Sequence, residues 1–149
     1  MVDRDTIKQH IKERLHSYIA RERERLQLEQ ELQELESSMT SPRIQALDGM
    51  PKGSGSGDPL TGIMSNYLEL QERYMEKLQS SVAAQTEVEK MIEGLEPTER
   101  TLLRCRYIEG LVWEEVCVRM SYSWRQTHRL HSKILDKLVD KKMEELKNG

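Results

Sequence analysis

Arg125, Gln126, His128, Arg129, Ser132 and Lys133 fall within nine residues, with Trp124 directly before them, and no acidic residue occurs from Arg119 to Lys133. Guanidinium groups pair bidentately with a guanine edge or a phosphate, lysine and serine bind phosphate, and an indole ring stacks on a base or sugar. The chemistry these types support is recognition of an anion, with a nucleic acid the first partner to consider. On charge alone, a solvated helix face is the favoured explanation of such a run. Trp124 likewise suits either a stacking contact or a staple against the preceding turn.

Other chemistries find less support. His10, His16, His128 and His131, with Cys105 and Cys117, lack metal-ligand spacing, although His128 and His131 are neighbours on one helical pattern. Both cysteines sit in helical patterns and read as reduced structural residues. Gly53-Ser54-Gly55-Ser56-Gly57 lacks the Lys-Ser/Thr and the preceding strand of a nucleotide-binding loop. Carboxylates are scattered at surface spacings and single out no acid/base pair. The expectation is a protein that binds and does not catalyse, with no cofactor and no metal.

Three short elements must position the basic residues. Pro97 stands at a first helical position with Glu99 in the first turn, and Gly110 closes that helix. A second helix is expected over Leu111–Met120. After Met120-Ser121-Tyr122, Ser123 and Gln126 have the spacing of a capping box that starts a third helix running toward Leu146. Thr127, Leu130, Ile134 and Leu138 form its apolar stripe, which should face Leu103, Val116 and Cys117. The basic residues lie away from that stripe.

The remainder reads as two long amphipathic helices. Residues 1–36 carry Ile7, Ile11, Leu15, Tyr18, Ile19, Leu26 and Leu32 near one stripe, continued by Leu35 and Met39, with Glu22 the chief interruption. Residues 62–94 carry Ile63, Tyr67, Leu70, Tyr74, Leu78, Val82, Val88 and Ile92 in the same way. Between them, 37–61 holds three Pro and four Gly and reads as a loop. Neither stripe can be buried alone, so the helices pair as a hairpin, with a second copy of the chain, or both. Residues 95–149 form the last segment, and the fold class is all-α.

Composition agrees. The 149 residues include two Trp, five Tyr and no Phe, 36% are hydrophobic, and Ala, Glu, Lys, Leu and Arg make up nearly half. No apolar run exceeds three residues, Leu111 to Trp113 among them, too short for a membrane span or signal-peptide core, so a cytoplasmic location is expected. The net charge of −3 conceals an asymmetry. Residues 1–96 hold 12 basic and 18 acidic side chains, whereas 97–149 hold 11 and 8. An anionic partner would meet the C-terminal third.

Leu95-Glu96-Pro97-Thr98-Glu99-Arg100, Leu103, Arg106-Tyr107, Glu109-Gly110, Trp113-Glu114-Glu115-Val116 and Ser123 to Leu138 together resemble the region-4 helix-turn-helix of the sigma-70 family. With the helical N-terminal part, Asp48-Gly49-Met50-Pro51-Lys52-Gly53-Ser54-Gly55 and Ser121 to Arg129, most of the chain resembles phage transcriptional regulators of the RinA and ArpU type. The resemblance implies a DNA-binding activator of phage late or packaging genes in a bacterial host. Its base-reading positions would be Trp124, Arg125, His128 and Arg129. Two positions depart from the sigma-like pattern: Ser121 where glycine is usual, and Cys117 in place of alanine. The first costs on the order of 1 kcal/mol if the turn is left-handed.

The expected partners are double-stranded promoter DNA, host RNA polymerase and a second copy of the chain through the N-terminal helices. Two alternatives remain: a DNA-packaging adaptor of the small-terminase kind, and a coiled-coil interaction protein that never touches DNA. The order of elements favours activation, since the oligomerising helices come first and sigma-like modules lie C-terminal.

Overall fold

The computed structural model describes residues 3–40 and 59–149, and among these the chain is all-α. Helix α1 spans Arg4–Met39 and α2 spans Pro59–Ile92. Helix α3, Pro97–Leu103, continues into one π-helical turn, Arg104–Ile108; α4 covers Trp113–Met120 and α5 covers Trp124–Asn148. The two long helices thus reach three residues into each end of the segment expected as a 37–61 loop. Residues 41–58, with the glycine-rich run, lie outside the described residues.

The described residues divide into two compact units, Met1–Arg21 with Val82–Gly149, and Glu22–Ser81. In the second unit α1 and α2 pair through buried Leu28, Leu32 and Leu70, with Leu35, Tyr67 and Tyr74 against them. Leu26, expected on the buried stripe, is 48% exposed, and Leu28 holds the seat. The inward positions after Leu15 are Tyr18, Glu22, Arg25, Leu28, Leu32, Leu35 and Met39, an average step close to 3.5 residues. A straight 3.6-residue stripe drifts off such a seam by about 20° per heptad. Val82 is displaced in the same manner: it is 53% exposed, while Ser81 and Ala84 are buried.

Glu22, the apparent interruption, is accommodated by polar partners. Arg25 donates to its carboxylate from the next turn, and the Ser81 hydroxyl donates to it from α2. Arg25 also donates to Tyr74 Oη at 3.2 Å. The Arg25 hydrogen bond holds the Glu22 carboxyl below the usual carboxylate range against the opposing effect of burial. Lys77 pairs with Glu24 at 2.7 Å, and Tyr67 donates to Glu36 at 2.8 Å.

The first unit has the larger core. Leu102, Leu103, Val116, Ile134 and Val139 are essentially inaccessible, and Ile7, Ile11 and Leu15 of α1 with Val88 and Ile92 of α2 complete the cluster. The C-terminal helices therefore share one apolar core with residues outside the 95–149 segment. Thr127, Ile134 and Leu138 lie inward as their spacing predicts, Leu130 is half-buried, and Leu135 and Val139 join them.

Helix α4 begins at Trp113, two residues later than expected, because Leu111 and Val112 are engaged otherwise. Val112 is extended at φ −67° and ψ 156°, and the Leu111 N–H donates to the Cys105 carbonyl at 3.0 Å across the π turn. Gly110 has φ 73°, so the backbone favours glycine there, and a Cβ would sit 3.2 Å from Ile19 Cδ1, which would have to shift slightly.

Ser121 ends α4 in the left-handed conformation, φ 58° and ψ 38°, with the Tyr122 N–H donating to the Cys117 carbonyl at 3.1 Å. A side chain at this position is strained. Ser121→Gly should raise unfolding stability by about 1 kcal/mol, and Ser121→Val should lower it by about 1–2 kcal/mol. Urea denaturation of the full chain measures both. A glycine variant less stable than the parent would show that the turn is not left-handed.

Candidate nucleic-acid interface

Helix α5 starts where its capping box puts it. The Gln126 N–H donates to Ser123 Oγ at 3.1 Å, and the Ser123 N–H donates to Gln126 Oε1 at 3.0 Å. Thr127, fully buried, donates its hydroxyl to the Ser123 carbonyl at 2.9 Å. The same turn presents Arg125 and Gln126 to solvent, and Arg129, Ser132 and Lys133 follow as exposed residues on the next two turns. Among the described residues no carboxylate pairs with Arg125, Arg129 or Lys133. Arg119, counted with them in sequence, is tied to Glu109 at 3.2 Å. The uncompensated charge is narrower than the sequence implies and lies on α5 itself.

Of the seven residues expected to bind, Arg125, Arg129, Ser132 and Lys133 share the outer surface. Gln126 is there as well, with its carbonyl oxygen committed to the cap. Trp124 is 53% exposed, yet one side of its ring lies against His128, centroids 4.3 Å apart. His128 departs from the expectation of an open polar face. It is half-buried between Trp124 and Trp113, whose ring is 4.5 Å away, and its Nε2 is buried with no hydrogen-bond partner. The reason is angular: position 128 sits at the edge of the stripe that faces α4, where the first turn of α4 places a large ring.

That ring anchors a set of contacts that residue spacing did not reveal. Arg106 stands 4.7 Å above Trp113 and donates to the Leu111 carbonyl at 2.9 Å, fixing the bend between the π turn and α4. His131 meets Trp113 edge-on at 4.7 Å. Its Nε2 lies 2.7 Å from the hydroxyl of buried Tyr107, which in turn meets His16 of α1 at 5.1 Å. Burial pushes the Tyr107 phenol up and, aided by His128, Lys12, Arg106 and His16, pulls His131 down to about 4. Both groups are neutral, and the imidazole tautomer decides which of the two donates. The signal in sequence was Trp113 opposite two histidines three apart, legible only once α4 and α5 are known to cross.

On the opposite flank of α5, Lys137 Nζ lies 3.0 and 2.8 Å from the oxygens of buried Glu99. Burial opposes ionisation of Glu99, but Lys137 and the Glu96 N–H outweigh it and hold the carboxyl below its ordinary value. Helix α5 is thus fixed to the π turn and α4 on one side and to α3 on the other, leaving the face of Arg125, Arg129 and Lys133 between them. No group of His, Cys, Asp or Glu among the described residues could hold a metal ion, and no described helix is long and apolar enough to cross a membrane. Burial raises the thiol of Cys105, which suits a packing role.

The neutral His131 makes stability depend on pH. Its folded value, about 4, lies below the ordinary 6.5, so protonation favours the unfolded chain. The contribution is complete above pH 6.5 and is lost as pH falls toward 4; His16 is shifted in the same direction. The urea midpoint should decline between pH 6.5 and about 4.5, and His131→Gln should flatten that decline. An unchanged pH profile in the variant would place the titration elsewhere.

No protein-family model, curated protein or solved structure matches this chain.

Proposed function

We propose that the chain is a DNA-binding transcription regulator, an activator of phage late or packaging genes of the RinA and ArpU type. In this reading α5 enters the major groove of promoter DNA as the second helix of a helix-turn-helix. The observation that carries it is the acid-free, unpaired surface of Arg125, Arg129, Ser132 and Lys133 on a helix start held by a reciprocal cap. A rigid helix presenting arginines with no internal partner suits base-edge readout, with lysine and serine on the flanking phosphates. The activity is binding, without catalysis, in the cytoplasm of the bacterial host, where RNA polymerase is the second partner.

Activation through polymerase, not replacement of its sigma factor, follows from the aromatic residues. Capturing unstacked bases requires aromatic side chains free to stack. Before residue 97 the aromatics are Tyr18, Tyr67 and Tyr74, all half-buried, with Tyr67 bound to Glu36 and Tyr74 to Arg25. In a purified transcription assay, holoenzyme plus this protein should exceed holoenzyme alone at the target promoter, and core polymerase plus this protein should stay silent. Arg125→Ala and Arg129→Ala should each reduce discrimination against random DNA by about 1–3 kcal/mol, and Lys133→Ala should weaken all sequences alike. Transcription by core enzyme alone would make the chain a minimal sigma factor. Binding without stimulation would favour the packaging adaptor.

Self-association through α2 belongs to the same reading. Met64, Leu68 and Met75 are 41%, 55% and 48% exposed and share one side of the helix, Leu68 and Met75 one heptad apart. A heptad-spaced apolar seam is self-complementary, so the occupant we assign is a second copy of the chain. Light scattering should give a dimer or larger species, and Leu68→Glu should halve the mass. A monomeric parent would remove this part of the proposal.

A further inference from the structure

Along the first turns of α1 a basic residue recurs every fourth position: Arg4, Lys8, Lys12. This ladder runs antiparallel to α5. Arg4 Nη1 lies 2.6 Å from Asp140, and Lys8 Nζ lies 3.9 Å from Asp136, one turn of each helix further on. The next step of the ladder brings Lys12 to the level of Ser132, where α5 offers no carboxylate. Lys12 is half-buried and unpaired among the described residues. It stands close enough to His16 and His131 to disfavour their protonation. Beyond Ser132, toward the start of α5, the exposed charged residues are Arg129 and Arg125, with His128 and His131 half-buried.

The ladder divides α5 into two zones. In its middle, Asp136 and Asp140 would repel a polyanion approaching along the basic face, and α1 neutralises both. Near its start, α1 adds a cation to a surface that already has no acid. Clustered unpaired cations raise one another's potential, and the cost is relieved by an anion shared among them. A helix that reads the major groove is flanked on each side by phosphate backbones, and cations on neighbouring elements meet those backbones.

We propose that Lys12 is a phosphate contact for the DNA strand beside α5, and that Arg4 and Lys8 serve the same interface by masking Asp140 and Asp136. The proposal rests on the DNA-binding reading and extends the interface to the N-terminal helix, to which that reading gave no contact with DNA. A lysine whose stem merely covers apolar surface would contribute to stability but release no counterion.

The test is the salt dependence of binding by the full chain, read by fluorescence anisotropy with a labelled random-sequence DNA duplex. Lys12→Gln should weaken binding and make the slope of log affinity against log salt shallower by about one. Lys12→Arg should keep the parental slope. Lys77→Gln, which removes a lysine already held by Glu24, should leave it unchanged. A parental slope in Lys12→Gln overturns the assignment, and so does an equal loss in Lys77→Gln, which would reduce the effect to net charge. If the parent itself does not bind duplex DNA, the DNA-binding reading fails and this one with it.

Discussion

The start of α5 is the constraint on which the rest of the first unit depends. Its first residues must leave the left-handed turn at Ser121, satisfy the free N–H groups of a new helix and bury Thr127, all within a few residues. The reciprocal bonds of Ser123 and Gln126 meet the second requirement, and the hydroxyl of Thr127 allows the third, since its polar atom is bonded within the same turn. Once that turn is set, helical periodicity assigns every later residue: Ile134, Leu135, Leu138 and Val139 to the core, Arg129 and Lys133 to solvent. A displaced start would rotate the charges into the core.

The contacts around α5 divide the work of holding it. Glu99 and Lys137 form one clamp, in which a buried carboxylate is tolerated because a cation and a backbone N–H compensate its desolvation. Tyr107, Trp113, His128 and His131 form the other, in which the His131 imidazole packs as a neutral ring. Among the outer-face cations only Lys133 acts on a clamp, through space on Glu99. Arg125 and Arg129 contribute to neither clamp, so their charge is free of these packing contacts.

The features readable in sequence were those decided by neighbours along the chain. Ser123 with Gln126, Pro97 with Glu99, and Gly110 are local signals whose geometry depends on a few consecutive residues, and each occurs as its spacing predicts. The two long helices were legible by periodicity, but the buried seats at Leu28, Ser81 and Ala84 were not, because paired helices follow a 3.5-residue seam that a single helix does not display. The π turn, the placement of His128 between two indoles and the Arg4–Asp140 ladder were illegible for a further reason. They depend on contacts between elements far apart in sequence, Arg4 and Asp140 being at opposite ends of the chain. Of the candidate site, the arginines and Lys133 could be read directly, whereas the dual role of Gln126 and the partial burial of His128 required the fold.

The central claim is that DNA meets the outer face of the first three turns of α5. Hydrogen–deuterium exchange of the full chain, with and without a duplex carrying the target promoter, tests it most directly because it reports where along the chain protection arises. The account expects added protection concentrated on Ser123–Lys133 and on the facing turns of α1 around Lys12. Protection confined to Glu22–Ser81, or no change at a DNA concentration that saturates binding, would contradict it.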